Sequence, residues 1–407
     1  YTLGTPEAAA RVAKLAGRAS EPDHTRAFAL KLLGDWTKPP RRDPITGLTL
    51  DLPARDAAVA ATAIQGVGGA IFTGSDVVRR EASQVVAKLG LKEFGPAMAA
   101  IVKDAGQPLN LRVDALYAVD ALRDDSAKEL AAFALESKEP KLRAAGLTVK
   151  ARLEPAAVLK ELPALLKDEK ASVAEKQAAF AALAAARSSA DADKLLDEWL
   201  DAALARKVPQ ELILDVLDAA EARANTPKLK LSAPLKAKVE QYRGEQAKQA
   251  DKLAPFLESL AGGDVEKGRD IFLNNSAVYC QRCHKLDGQG GDVGPLMNGI
   301  AADPEKDRRY LLESIALPSA KIAKGFETVI LILEDERTIS GIIKSEDKTT
   351  IKLVTAENKE VVVPVKDVAA RRTGPSAMPD DLHKKMTRRE LRDVVEFLAS
   401  LKDPPKK

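Results

Sequence analysis

The chain has 407 residues, 45% apolar and 30% charged, with 63 basic against 60 acidic side chains and a formal net charge of +3 at pH 7. This length predicts two or three domains with cores of their own, and so balanced a charge excludes a nucleic-acid groove or an anionic-membrane surface built on electrostatics alone. Two cysteines exclude a disulfide framework, and 4% aromatics with abundant alanine favour packed helices over β-sandwiches.

The sequence opens at Tyr1 without a charged-then-apolar leader and reads as a processed or excised product. From Thr25 a weak internal repeat follows: basic-then-apolar segments recur at Thr25–Leu30, Arg80–Val85, Arg112–Leu116, Arg143–Leu147 and Gln177–Phe180. From Arg80 onward they start 32, 31 and 34 residues apart. Such a period with helical apolar spacing predicts stacked helix pairs resembling short HEAT-like repeats, an α-solenoid, with an irregular all-α bundle as the alternative. Breakers fall between units at Gly106-Gln107-Pro108, Lys138-Glu139-Pro140 and Ser188-Ser189, and an insertion containing Pro39, Pro40 and Pro44 separates the first two units. The longest uncharged stretch, residues 57–75, holds four glycines, Gln65 and two threonines, and its apolar residues are mostly alanine, so it predicts a buried helix running into a Gly66-Gly68-Gly69 loop and no membrane span. Pro209 to Leu260 still reads helical but loses the period, giving a first domain over 1–260.

A break at Ala261-Gly262-Gly263-Asp264 opens the second domain, 261–407. It begins with a short helix, Val265 to Leu273, followed by Cys280-Gln281-Arg282-Cys283-His284 and a glycine-rich loop from Gly288 to Gly294. Apolar runs at 327–333, 338–343, 350–354 and 360–363, joined by polar turns at 334–337, 345–348 and 356–359, predict a β-meander of four or more strands. This insertion, 321–370, has the size of a small SH3-like or Sm-like barrel. Its lysines are matched by acids and Phe326 is its one aromatic, which argues against RNA binding. A final helix is marked by the capping pair Thr387 and Glu390 and an apolar stripe of Leu391, Val394, Val395, Leu398 and Leu401.

Both cysteines and one of the three histidines fall within five positions. Cys-x-x-Cys-His is the attachment signature of c-type haem, in which Cys280 and Cys283 bond the porphyrin and His284 becomes the proximal iron ligand. A structural zinc site wants four ligands, and only His24 and His383 remain to complete one; a thioredoxin-like redox pair wants a surrounding βαβ unit, which is missing. A proximal imidazole is normally oriented by a partner on its other ring nitrogen. The remaining histidines are expected at the surface.

Gly268-Arg269-Asp270-Ile271-Phe272, the Cys-x-x-Cys-His motif, Gly294-Pro295-Leu296-Met297-Asn298-Gly299, residues 310–315, Pro318-Ser319-Ala320-Lys321-Ile322, Gly325-Phe326-Glu327-Thr328 and Met378-Pro379 together resemble the haem-binding, class I-like cytochrome c domain abundant in planctomycetes. There the domain often follows HEAT-like helices attached to a dehydrogenase-like propeller. The resemblance implies a close crossing of the first and last helices at Gly268, Phe272 and Phe397. It also implies a Pro295 carbonyl on His284, Leu296 beside the cofactor, and Met378 as the distal iron ligand. Met297 belongs to the proximal loop. His284 and Met378 are 94 residues apart, and 44 once the 50-residue insertion is set aside, a normal span for a small cytochrome. Pro379 holds Met378 extended. His383 as distal ligand and an open iron site are the alternatives.

The implied activity is electron transfer by one covalent haem c in an extracytoplasmic, periplasmic setting. The implied partners are a dehydrogenase donor and a cytochrome or oxidase acceptor, with the helical repeats as docking scaffold and no catalysis by the chain itself. The rivals are a haem sensor or peroxidase with a displaceable distal ligand, and a scaffold whose haem is structural.

Overall fold

The computed structural model describes residues 1–41, 43, 46, 48–186, 189–224, 232–275 and 277–403, so the expected breakers at Pro44 and Ser188 lie outside the described residues. The chain is mainly helical with one small antiparallel sheet. It divides into two compact units, Tyr1–Trp199 with Asp218–Lys236, and Leu200–Leu217 with Ala237–Lys407. No helix among the described residues is long and apolar enough to cross a membrane.

In the first unit, helices Asp23–Gly34, Asp76–Leu89, Leu109–Leu122, Pro140–Leu153 and Val173–Ala185 pack side by side in chain order. Each of the five recurrent segments lies on one of them. Helices Pro6–Gly17, Gly95–Lys103, Ala127–Leu135 and Pro155–Lys167 lie against this row.

The basic residue that opens several segments has a structural reason. Arg26 Nε donates to the Ala16 carbonyl (2.9 Å), Arg112 Nε to Val102 (3.0 Å) and Arg143 Nη1 to Ser137 (3.0 Å). Arg26 and Arg112 thus satisfy carbonyls at the C-terminal end of the preceding helix, which lack intrahelical donors, and Arg143 holds the loop just beyond one. Arg80 instead pairs with Asp114 (2.9 Å) and Arg143 also with Glu175 (2.7 Å), both on the next helix of the row. The expected loop at Gly66–Gly69 is corrected: Gly68 starts a short helix, Gly68–Phe72, because Gly68 packs directly against the Phe94 ring and Ile71 is fully buried.

In the second unit the helix Val265–Asn274, the first after the break at Ala261–Asp264, is capped by Asp264, whose side chain accepts from the Glu266 and Lys267 amides. It packs on the terminal helix, Arg388–Ser400, whose Thr387/Glu390 capping box forms in both directions. The crossing is tight: a Cβ on Gly268 would collide with the Asp393 carbonyl and with Phe397. Phe272 and Phe397 meet there at 5.7 Å. Residues before Ala261 join this core, with Leu253 buried and Phe256, Leu257 and Leu260 packed against it. Within the same unit Asp215 is 1% exposed and takes ion pairs from Arg389 (2.9 Å) and Arg392 (2.6 Å) of the terminal helix.

Residues 328–373, reaching just past the expected end of the insertion, form five antiparallel strands, β1 Thr328–Leu333, β2 Thr338–Glu346, β3 Thr350–Val354, β4 Glu360–Pro364 and β5 Val368–Thr373, in the order β4-β3-β2-β1-β5. The expected meander is present, but the barrel is corrected to an open sheet. β4 and β5 stay at opposite edges, β4 being five residues long and ending in Pro364, which has no N–H to offer a further strand.

Candidate haem-binding site

The sequence Cys280-Gln281-Arg282 forms a single tight turn, entered through Tyr279 in the left-handed conformation (φ 44°). The amides of Cys283 and His284 both donate to the Cys280 carbonyl (3.2 and 3.0 Å). That spacing of three and four residues brings Cys280, Cys283 and His284 to one face, as on a helix. The two thiols are free. Burial pushes the Cys280 thiol up to about 12 and raises that of Cys283, so both are neutral thiols and not reactive thiolates.

The glycine-rich loop closes around this turn. Gly291 N donates to Gln281 O (3.0 Å), Gly294 N to Cys283 O (2.8 Å) and Met297 N to Lys285 O (2.9 Å). Gly290 has φ +114° and lies against the His284 and Gln281 carbonyls, where a Cβ would collide. A Cβ on Gly294 would sit 2.5 Å from the His284 ring. Asp287 and Asn298 lock the far end of the loop, the Asp287 amide donating to Asn298 Oδ1 and Asn298 Nδ2 to Asp287 Oδ1, both at 2.8 Å.

His284 Nδ1 is 2.9 Å from the Pro295 carbonyl. A carbonyl only accepts, so this bond places the proton on Nδ1 and leaves the Nε2 lone pair free. Burial lowers the His284 pKa and outweighs the opposing effect of the Pro295 bond, keeping the ring neutral. Two free thiols and a neutral imidazole with one open nitrogen, on one face and cradled by glycine, fit covalent haem with histidine on iron. Among the described residues no cluster of three or more His, Cys, Asp or Glu could hold a bare metal ion.

Met378 is half-buried and packs against the same apolar cluster as Cys280, Phe272 and Phe397. Its amide donates to Ser376 Oγ (3.2 Å), and the Ser376 amide to Ser319 Oγ (3.1 Å). Leu296 is 42% exposed, whereas its neighbour Met297 is 6% exposed and shares the core with Leu286 and Ile300. His24 is exposed as expected, but the surface expectation for His383 is corrected. His383 is half-buried and stacks edge-on with Phe256 at 5.0 Å, since residues 254–259 fold back onto this core. Sequence reasoning also missed Asp393, whose Oδ1 accepts the Asp264 amide (2.8 Å) and ties the start of the first helix to the last; burial raises its pKa. Its partner lies 129 residues away, beyond any local signal.

No curated protein matches the chain. Residues 265–402 match the family model described as Cytochrome c, which spans the Cys-x-x-Cys-His turn, the glycine-rich loop, the sheet and the terminal helix. The second part of this chain is therefore a cytochrome c domain, carrying a covalently bound c-type haem with iron and pointing to haem-based electron transfer.

Proposed function

We propose that this protein is an electron carrier whose haem iron is held by His284 and Met378, and whose helical repeats dock a redox partner. The observation that carries the reading is the 2.9 Å bond between His284 Nδ1 and the Pro295 carbonyl. It orients the imidazole, fixes its tautomer and raises the basicity of Nε2. The thioether of Met378 is the matching ligand. It comes from a loop whose backbone is anchored through Ser376 and Ser319, and Pro379 limits the freedom of Met378 itself. When bound, the haem supplies a one-electron ferric/ferrous couple, and histidine with methionine leaves it no vacant position for oxygen or peroxide.

Residues 1–260 are read as the docking domain and 261–407 as the carrier, with 321–370 inserted in it. The in-order row of five helices supports a solenoid, whose stacked repeats offer an extended partner surface. The net charge of +3 favours docking by shape over long-range steering. A dehydrogenase donor, a cytochrome or oxidase acceptor and an extracytoplasmic location fit a carrier of this kind.

A potentiometric titration of the holoprotein tests the ligand pair. The wild type is expected to titrate as one single-electron couple. Met378→Ala is expected to lower its potential by at least about 59 mV, the equivalent of a tenfold preference for ferrous iron lost with the thioether. An unchanged potential in Met378→Ala removes Met378 from the iron.

A further inference from the structure

We propose that the inserted sheet is a clamp that positions the Met378 loop against the proximal loop, with Ile342 and Val354 as the positioning residues. The proposal rests on the His284/Met378 reading above. Alternation along each strand divides the sheet into two faces. One carries Leu331, Leu333, Ile351, Leu353 and Val363, which form the sheet's own core. The other carries a cross-strand row, Thr328 paired with Ile342 and Ile342 with Val354, at 5%, 1% and 5% exposure. A sheet this small does not bury its second face by itself; something outside the sheet covers that row.

What covers it is the haem site. Ile342 and Val354 form a separate apolar cluster with Val293, against which Cys283, Phe326 and Ala377 pack. Val293 precedes Gly294, the residue in contact with the His284 ring, and Ala377 precedes Met378. One pair of sheet side chains therefore joins the loop that seats the histidine to the loop that carries the methionine. Polar contacts fix the same two loops. Lys344 Nζ donates to the Asp292 carbonyl (2.7 Å) from β2. The Gly374 amide donates to the Thr328 carbonyl (2.8 Å) at the foot of β1.

The Met378 loop needs such a support, because it spans the gap between β5 and the terminal helix without regular structure until Leu382. Truncating Ile342 opens a cavity under Ala377 and Val293 while the opposite face of the sheet stays packed. The loop then gains freedom, and the thioether is held less often in ligating position. Truncating Val363 opens a cavity of similar kind in the sheet's own core, away from both loops.

The test uses the full-length holoprotein in five forms: wild type, Met378→Ala, Ile342→Ala, the milder Ile342→Val, and Val363→Ala. Two readouts are followed, the long-wavelength methionine-to-iron charge-transfer band of the ferric protein and the rate of carbon monoxide binding to the ferrous protein. Ile342→Ala is expected to weaken the band and speed carbon monoxide binding tenfold or more, Ile342→Val to do so in part, and Val363→Ala to match the wild type. Both Ile342 variants matching the wild type, or Val363→Ala changing as much as Ile342→Ala, overturns the clamp. If Ile342→Ala takes up no haem, Ile342→Val against Val363→Ala decides in the same way. A wild type that binds carbon monoxide as fast as Met378→Ala overturns the ligand reading, and the clamp with it. A wild type that differs from Met378→Ala while Ile342 has no effect overturns the clamp alone.

Discussion

His284 is held between two neighbours that leave it little choice of orientation: the Pro295 carbonyl on one nitrogen and the Gly294 backbone beneath the ring. Gly294→Ala would place a methyl 2.5 Å from the imidazole carbon, so either the ring turns away from Pro295 or the loop moves. The expected outcome is at least tenfold less covalently attached haem, measured as the haem-to-protein ratio after purification; a wild-type ratio would show that the loop yields cheaply. The turn that gathers Cys280, Cys283 and His284 was legible because it depends on a local spacing. The supports around them were not. Ser319 reaches Ser376 across 57 residues and Asp393 reaches Asp264 across 129, and neither residue type announces a distant partner. Leu296 and Met297 show the same limit at shorter range. Both are apolar neighbours in one loop, and only the loop's path shows that Met297 is buried and Leu296 is not.

At the scale of elements, local rules served well where local contacts decide. The Thr387/Glu390 box and the first helix, expected to Leu273 and observed to Asn274, follow from capping and period. The strands were legible from their alternation, but barrel closure was not, because it depends on whether two edge strands meet and no single strand encodes that. The basic residues at the segment starts acquire a reason only in the structure, as caps for the preceding helix and as ties to the next. Arg143 with Glu175 is the clearest tie. Burial alone would raise the Glu175 pKa, yet hydrogen bonds from Arg143 and Ser172 outweigh it and hold the carboxyl at about 2.

The sign follows directly: a depressed folded-state value stabilises the fold above the unfolded value of about 4.3, and that contribution is lost as pH falls from there towards 2. Urea unfolding followed at pH 7 and pH 3 is expected to show the wild type losing more stability on acidification than Glu175→Gln. Equal losses in the two proteins would dissociate this pair from acid sensitivity.

For the whole molecule, composition indicated helices and motif spacing indicated the cofactor, while the division into compact units required packing. Residues 200–217 and 237–260 belong to the unit that holds the haem site, tied to the terminal helix by the buried Asp215. Their sequence loses the repeat period but does not say which core they join, since a buried aspartate reads the same as an exposed one until its arginine partners are in place. In the proposed carrier the haem is six-coordinate, with His284 and Met378 on the iron, and carries electrons without binding a substrate. This coordination is tested most directly by the optical spectrum of the reduced holoprotein recorded with and without carbon monoxide. Superimposable spectra are the expected result, and a ready shift of the main haem band on adding carbon monoxide would contradict it.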